Sequence, residues 1–296
     1  NIGKMFLKPL DKCKDLFENE IQQIKDKNLN SSLTPPLEVW LTEYNMNDDL
    51  AKNVGTWAHG LFNAIQTLKY LESPLITHIC SHAMTSDAVY GNIFESDRGF
   101  KGLSQNQLPF NVSTSSAANF STTKFGFTAS GAANNEIALA MKGNNVIAHK
   151  IDFSSNANDI GYITYIGTVG QTITSTEYLN LYGWSFEKEE GFEAVILNLG
   201  NRNYSISSSD LTLLTSYGLI TTTPLSMVQL TCFNPTAGIS QIYGPTSTGT
   251  KGIHHLKTTG EIDIPGDLIL PPYSLTRIIY RNPNTITVRL TDDEIC

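Results

Sequence analysis

Between Leu37 and Cys80 the chain reads strand, helix, strand, and the length of the middle segment restricts how the strands can pair. Leu37–Thr42 (Leu-Glu-Val-Trp-Leu-Thr) is a short, mostly apolar run of strand length. From about Asp48 to Leu71, residues Val54, Trp57, Ala58, Leu61, Phe62, Ile65, Leu68 and Leu71 recur at helical spacing on one face. Asp48 and Asp49 suit the start of that helix, where the dipole is positive. Pro74 closes it, and Leu75–Cys80 is a second strand. Strands joined by a helix-length crossover pair in parallel, which implies an α/β fold.

The flanks extend this pattern. Residues 1 to about 30 carry Phe6, Leu10, Leu16, Phe17, Ile21 and Ile24 near helical spacing, with charged residues between them. Asn28–Pro36 reads as a loop. Residues 84–130 are rich in Ser, Thr, Asn and Gly and read as long loops. Ala132–Lys142 reads as a helix, with Gly143 where glycine often ends one. From Val146 onward, strand-like runs alternate with turn residues. They are Val146–Phe153, Gly161–Val169, Tyr182–Phe186, Phe192–Leu199, Met227–Phe233, Glu261–Leu270 and Ser274–Tyr280. That spacing is expected of an antiparallel β-sandwich. The boundary falls near 143–145, giving two domains, 1–144 and 145–296, with no convincing internal repeat.

Composition narrows the partners. Of 296 residues, 40% are hydrophobic and 16% charged, which is globular rather than disordered. Twenty Lys and Arg stand against 28 Asp and Glu, a net of -8, and no basic stripe suggests a nucleic-acid partner. No apolar run reaches membrane-spanning length, so no membrane partner is expected. The chain opens at Asn1 without a starting Met and reads as cut at the N-terminus. Cys13, Cys80, Cys232 and Cys296 lack the close spacing of a metal or redox motif, and no metal or cofactor is expected. Sequons at Asn30, Asn111, Asn119 and Asn203 permit a secreted, extracellular origin. Oligomeric state leaves no trace in the sequence.

Trp40-Leu41-Thr42-Glu43-Tyr44-Asn45 is the stretch that carries chemistry. An apolar strand ends in a carboxylate, then an aromatic residue, then an amide. Regular alternation puts Val39, Leu41 and Glu43 on one side, with Trp40 and Thr42 on the other. In a parallel barrel the C-terminal strand ends form the active-site face, which would aim Glu43 at the barrel mouth. By itself the hexapeptide also fits a carboxylate that caps the next helix or sits on a wet edge.

The order of parts resembles clan A glycoside hydrolases, the retaining (β/α)8 group, and in particular its α-L-arabinofuranosidase and β-xylosidase families. Those families carry a nucleophilic Glu at the end of the seventh strand in a Thr/Asp-Glu-aromatic-Asn pattern. Thr42-Glu43-Tyr44-Asn45 matches it. In the tail, Gly260-Glu261-Ile262-Asp263-Ile264 and Leu270-Pro271-Pro272-Tyr273-Ser274-Leu275-Thr276 resemble the closing strands of the accessory sandwich in related enzymes. The closing helix, ending Ala138–Gly143, is a much weaker match.

The resemblance implies the C-terminal portion of a (β/α)8 barrel followed by an antiparallel β-sandwich. It also implies a retaining hydrolase acting on a carbohydrate substrate, with Glu43 as nucleophile and Tyr44, Asn45 and His82 at the substrate. The acid/base carboxylate of this clan lies on the fourth strand, and only 42 residues precede Glu43. A complete barrel needs about 200 residues or more, so roughly the first six strands are missing. Retaining hydrolysis requires two carboxylates about 5–5.5 Å apart, so the chain alone is expected to be inactive. Members of the clan often place an aromatic residue where His82 stands.

Other residues read more plainly. His78 and His82 share a strand face, but no carboxylate or Cys set makes them metal ligands. Trp57 and Trp184 are expected in core packing, and His254-His255 at the surface. Asp87, Glu95 and Asp97 read as solvated loop charge on the active-site side. The competing reading is a non-catalytic carbohydrate-binding or adhesive sandwich. It accounts for residues 145–290 but leaves Glu43 and the strand-helix-strand unit unexplained. A third reading keeps the barrel end without chemistry.

Overall fold

In the computed structural model, the structure describes residues 2–32, 34–46, 56–82, 84–86, 91–95, 125–154, 157–169, 172–189, 191–206, 226–232, 241–243, 252–259 and 268–281. The first helical stretch runs as α1 (Ile2–Asp15), a π-helical turn (Leu16–Ile21) and α2 (Gln22–Asn30), as its periodicity predicts. Strand β1 (Val39–Tyr44), helix α3 (Trp57–Tyr70) and strand β2 (Ile76–Ser81) follow. β1 and β2 pair in parallel, as the crossover length requires. Among the described residues these two strands form no closed barrel. The fold is mixed α/β with several sheets.

Helix α3 starts later than the sequence suggests. Thr56 is its N-cap, with Oγ1 accepting the His59 N–H at 3.4 Å, and no acidic residue lies in its first turn. Asp48, Asp49 and Val54 lie outside the described residues. Helix α4 (Ala129–Met141) starts three residues earlier than expected, because Thr128 Oγ1 accepts the Gly131 N–H at 3.0 Å. The stretch read as long loops contains three short paired strands, β3 (Thr85–Ser86), β4 (Ile93–Glu95) and β5 (Phe125–Phe127). Asp87 and Asp97 lie outside the described residues.

After α4 the chain is mostly β-structure. β6 (Ile147–Lys150), β9 (Leu181–Lys188), β10 (Gly191–Asn198), β12 (Ser226–Thr231), β13 (Gln241–Tyr243), β14 (Gly252–Thr259) and β16 (Ser274–Arg281) make one seven-stranded sheet. Its order is β13-β14-β12-β16-β10-β9-β6. All pairs are antiparallel except β13 with β14. β11 (Tyr204–Ile206) pairs with β15 (Leu268–Leu270) in a small second sheet. The short helix α5 (Ala157–Ile160) precedes the hairpin of β7 (Tyr162–Val169) and β8 (Thr172–Leu179), which packs against α1. β8, β11, β13 and β14 were not expected from the sequence. His254 and His255 sit on β14.

The seven-stranded sheet is covered on both faces. Phe192, Ile196, Ile278 and Tyr280 pack with Tyr204, Ile206, Leu268 and Leu270 of the small sheet. On the other face Trp184, Phe186, Val195, Leu197, Val228, Leu230 and Leu275 share one core with Trp57, Leu61, Ile65 and Leu68 of α3 and Ala133, Ile137 and Ala140 of α4. This explains why β10, Gly-Phe-Glu-Ala-Val-Ile-Leu-Asn, reads as a near-continuous apolar run. Trp57 and Trp184 are core residues, as expected. A Cβ on Gly60 would meet the Ala129 carbonyl oxygen at 2.6 Å, so this glycine lets α3 and α4 approach closely.

Polar ties fix the helices on the sheet. Arg277 of β16 donates through Nε to Glu136 of α4 at 2.8 Å and through Nη1 to Glu193 of β10 at 2.7 Å. Glu72, just past α3, accepts from Lys69, from Lys150 at 2.6 Å and from the Tyr182 hydroxyl at 2.9 Å. Burial alone would raise its pKa, but the hydrogen bonds from Lys150 and Lys69 outweigh that and hold it low. The Leu-Pro-Pro-Tyr-Ser motif is a turn held by neighbouring strands. Asn198 Nδ2 donates to the Leu270 and Pro271 carbonyls at 3.0 and 2.7 Å, and Thr231 Oγ1 to that of Pro272 at 2.9 Å. Among the described residues no helix is long and apolar enough to cross a membrane.

Candidate active site

β1 does not keep a regular ladder. Leu41 lies opposite Ile79 and Tyr44 opposite Ser81, so three residues of β1 span what two of β2 span. One extra residue is a β-bulge, and it shifts the alternation by one. Leu41 and Tyr44 therefore both face the small core of Cys13, Tyr70, Ile76 and Ile79. This corrects the alternation predicted for Glu43, which does not share Leu41's side. Its carboxylate stands 69% exposed at the C-terminal end of the strand.

The four residues singled out in the sequence come together. Glu43, Tyr44, Asn45 and His82 line one cavity of about 620 Å³, whose inner wall includes Cys13, Gln66 and Tyr70. His82 Nδ1 is 3.1 Å from Glu43 Oε2. The His82 backbone N–H donates to the Tyr44 carbonyl at 2.9 Å, continuing the parallel pairing past the last ladder residue. Glu43 is the one carboxylate among the described residues lining the cavity. Tyr44 is buried, and its hydroxyl shares a 2.5 Å hydrogen bond with Thr67 Oγ1. Burial raises the Tyr44 pKa and pushes the Cys13 thiol up to about 12, so both stay protonated at neutral pH.

Behind the cavity lies a polar cluster that the sequence reading missed. Asn45 Oδ1 accepts from Met46 N–H at 2.7 Å, from Asn63 Nδ2 at 2.9 Å and meets His59 Nε2 at 2.6 Å. Asn45 Nδ2 donates to the His82 carbonyl. Asn63 also donates to Ser130 Oγ at 2.5 Å, and Asn134 Nδ2 to Asn92 Oδ1 at 3.0 Å. His59 is wholly buried, and that burial lowers its pKa to about 4. The available signal was the spacing of His59, Asn63 and Thr67, four residues apart on a helix whose only Lys, Arg, Asp or Glu is Lys69. A polar stripe without charge suits a buried network better than a wet surface.

His78 lies away from this cavity. Its ring meets the exposed Trp40 at 4.7 Å on the outer face of the two-stranded sheet. Among the described residues no group of three or more His, Cys, Asp or Glu is arranged to hold a metal.

No family model matches the chain, and no curated protein matches it in sequence. Solved structures do. The GH51 alpha-L-arabinofuranosidase from Thermotoga petrophila RKU-1 aligns with a TM-score of 0.53 at 12% identity, over 90% of this chain and 48% of that one. The chain has a glycoside hydrolase-like fold. A 4-O-alpha-L-rhamnosyl-beta-D-glucuronidase from Fusarium oxysporum 12S aligns at 0.49 and 11% identity, over 95% of this chain and 50% of that one. A family 51 alpha-L-arabinofuranosidase from Bifidobacterium longum aligns at 0.49 and 10%, over 90% and 40%. The chain spans half or less of the length of these structures.

Proposed function

We propose that this chain carries the nucleophile of a retaining glycoside hydrolase, Glu43, on the C-terminal part of a (β/α)8 barrel backed by a β-sandwich. One observation carries the reading. Glu43 ends a parallel strand inside a cavity, with His82 of the neighbouring strand's end 3.1 Å from its Oε2. The C-terminal ends of parallel strands are where barrels of this kind hold their chemistry. The glycoside hydrolase-like fold supports the same assignment.

The exposed side of β1 and β2 supports the view that further strands come from elsewhere in a longer polypeptide. Trp40 is 60% exposed there, and Cys80 is exposed as well. Parallel sheets are ordinarily covered on both faces, whereas among the described residues helices α1 and α3 cover one. The acid/base carboxylate would belong to those strands. Against a free-standing binding module stands the core that the large sheet shares with α3 and α4.

In the reaction, a Glu43 oxygen attacks the anomeric carbon of a carbohydrate substrate. The glycosidic C–O bond breaks, and the acid/base group protonates the leaving oxygen. The same group then takes a proton from water, whose oxygen displaces Glu43 from the anomeric carbon. His82, with Nδ1 3.1 Å from one carboxylate oxygen, sets the direction of attack. Of the two roles open to Tyr44, supporting Glu43 or lining the subsite, its burial favours the first.

The test is covalent trapping. The full-length protein is incubated with 2-deoxy-2-fluoro arabinofuranosides, xylosides and uronides that accumulate the glycosyl-enzyme, then digested and analysed by mass spectrometry. The expected result is a glycosyl mass on the peptide bearing Glu43. A label on another carboxylate, or unchanged hydrolysis by the Glu43→Gln variant, would remove Glu43 from this role.

A further inference from the structure

His59 stands on α3, outside the residues that line the cavity, yet it belongs to a cluster that joins the ends of both parallel strands. Asn45, two residues after Glu43, is the junction. Its Oδ1 is an acceptor only, and it already receives the Met46 N–H at 2.7 Å and Asn63 Nδ2 at 2.9 Å. His59 Nε2 lies 2.6 Å from the same oxygen, so that nitrogen carries the proton and donates. With the oxygen held by three donors, the Nδ2 group of Asn45 points to the carbonyl of His82. That bond ties the end of β2 to the end of β1 at the residue whose ring meets Glu43.

We propose that His59 is the positioning residue of the Glu43–His82 pair. As a buried neutral imidazole with its proton on Nε2, it fixes the Asn45 amide and through it the backbone that carries His82. The effect on catalysis rests on the reading of Glu43 as nucleophile, whereas the clamp itself does not. Asn63 gives one Nδ2 proton to Asn45 Oδ1 and the other to Ser130 Oγ at 2.5 Å, and His59 supplies a separate donor to the same Asn45 oxygen. A Gln side chain at position 59 presents an N–H donor at similar reach. A Leu side chain has the volume without the donor.

The protein itself gives the first measurement. Long-range proton–nitrogen spectra of the imidazoles distinguish the two neutral tautomers, and His59 is expected in the Nε2–H form at pH 7. An Nδ1–H tautomer or an imidazolium there would overturn the proposal. The second measurement follows hydrogen exchange of the Asn45 side-chain amide. His59→Leu is expected to lower its protection at least ~10-fold, about the worth of one buried hydrogen bond, while His59→Gln restores it. Equal protection in all three proteins would overturn the proposal, as would a loss that His59→Gln does not rescue. If His59→Leu fails to fold, the tautomer measurement still decides. Both measurements are independent of Glu43 activity, so inactive full-length protein with a protected Asn45 amide would sink the nucleophile and spare the clamp.

Discussion

The indole N–H of Trp57, the first residue of α3, donates a 2.6 Å hydrogen bond to the carbonyl of Tyr273, 216 residues further along the chain. Tyr273 sits at φ 50°, the left-handed region, in the turn that leads into β16. The Leu-Pro-Pro-Tyr-Ser motif is therefore a seat for the helix that follows the Glu43 strand, as well as the start of a sandwich strand. Trp57→Phe keeps most of the packing and removes the donor. It is expected to cost about 1–2 kcal/mol, read as a lower urea midpoint with unchanged slope. A midpoint equal to that of the parent would show that the bond contributes nothing.

Arg277 provides a harsher test of the same junction. Its side chain is 10% exposed, and its partners Glu136 and Glu193 are 7% and 13% exposed. Glu193 also accepts from Lys188 at 2.7 Å, so taking away the Arg277 cation chiefly strips Glu136, confined between α4 and the sheet. Arg277→Met is expected to destabilise the protein by about 3–5 kcal/mol. Replacing Glu136 by Leu in the same protein should recover most of that loss, because a buried ion pair and a packed apolar one differ little in net stability. Denaturation of the single and double variants measures both outcomes. A double variant no more stable than the single one would contradict this account.

His59 gives the protein a pH-dependent stability of definite sign. Burial lowers its folded pKa to about 4, below the ordinary value of 6.5. Under acid the unfolded chain binds a proton that the folded one refuses. The contribution is fully present above pH 6.5 and is lost as pH falls toward 4, by about 3 kcal/mol in all. Relative to the parent, His59→Gln should therefore lose less stability between pH 6.5 and 4. Parallel stability curves for the two proteins across that window would refute the assignment.

Much of this architecture was legible in the chain. The helix-length crossover required β1 and β2 to be parallel, and Trp57 and Trp184 were placed in the core on their spacing and context. The bulge in β1 was not legible, because alternation assumes a regular ladder and the extra residue exists only against the register of β2. Strand β11 is three residues long and takes its conformation from pairing with β15, which no local pattern reports. The buried polar face of α3 escaped for a related reason. Amphipathic spacing identified the side bearing Leu61, Ile65 and Leu68, whereas His59, Asn63 and Thr67 are buried by α4 and the strand ends, elements distant in sequence.

Glu43 itself should separate stability from chemistry. Its carboxylate is 69% exposed, and its contact with His82 is an exposed pair of the kind worth little, roughly 0–1 kcal/mol. Glu43→Gln preserves the shape and removes the charge, so the denaturation midpoint of this chain is expected to move by about 0.5 kcal/mol or less. In the full-length protein the same change removes the atom that would form the glycosyl-enzyme bond, and hydrolysis of aryl glycosides should fall by at least ~1000-fold, about 4 kcal/mol in the barrier. The two measurements together discriminate between roles. A large loss of stability would make Glu43 a structural carboxylate holding the strand ends together. Unchanged stability with unchanged hydrolysis would leave it a solvated residue at a strand end, and only the combination of intact folding with lost turnover fits a nucleophile.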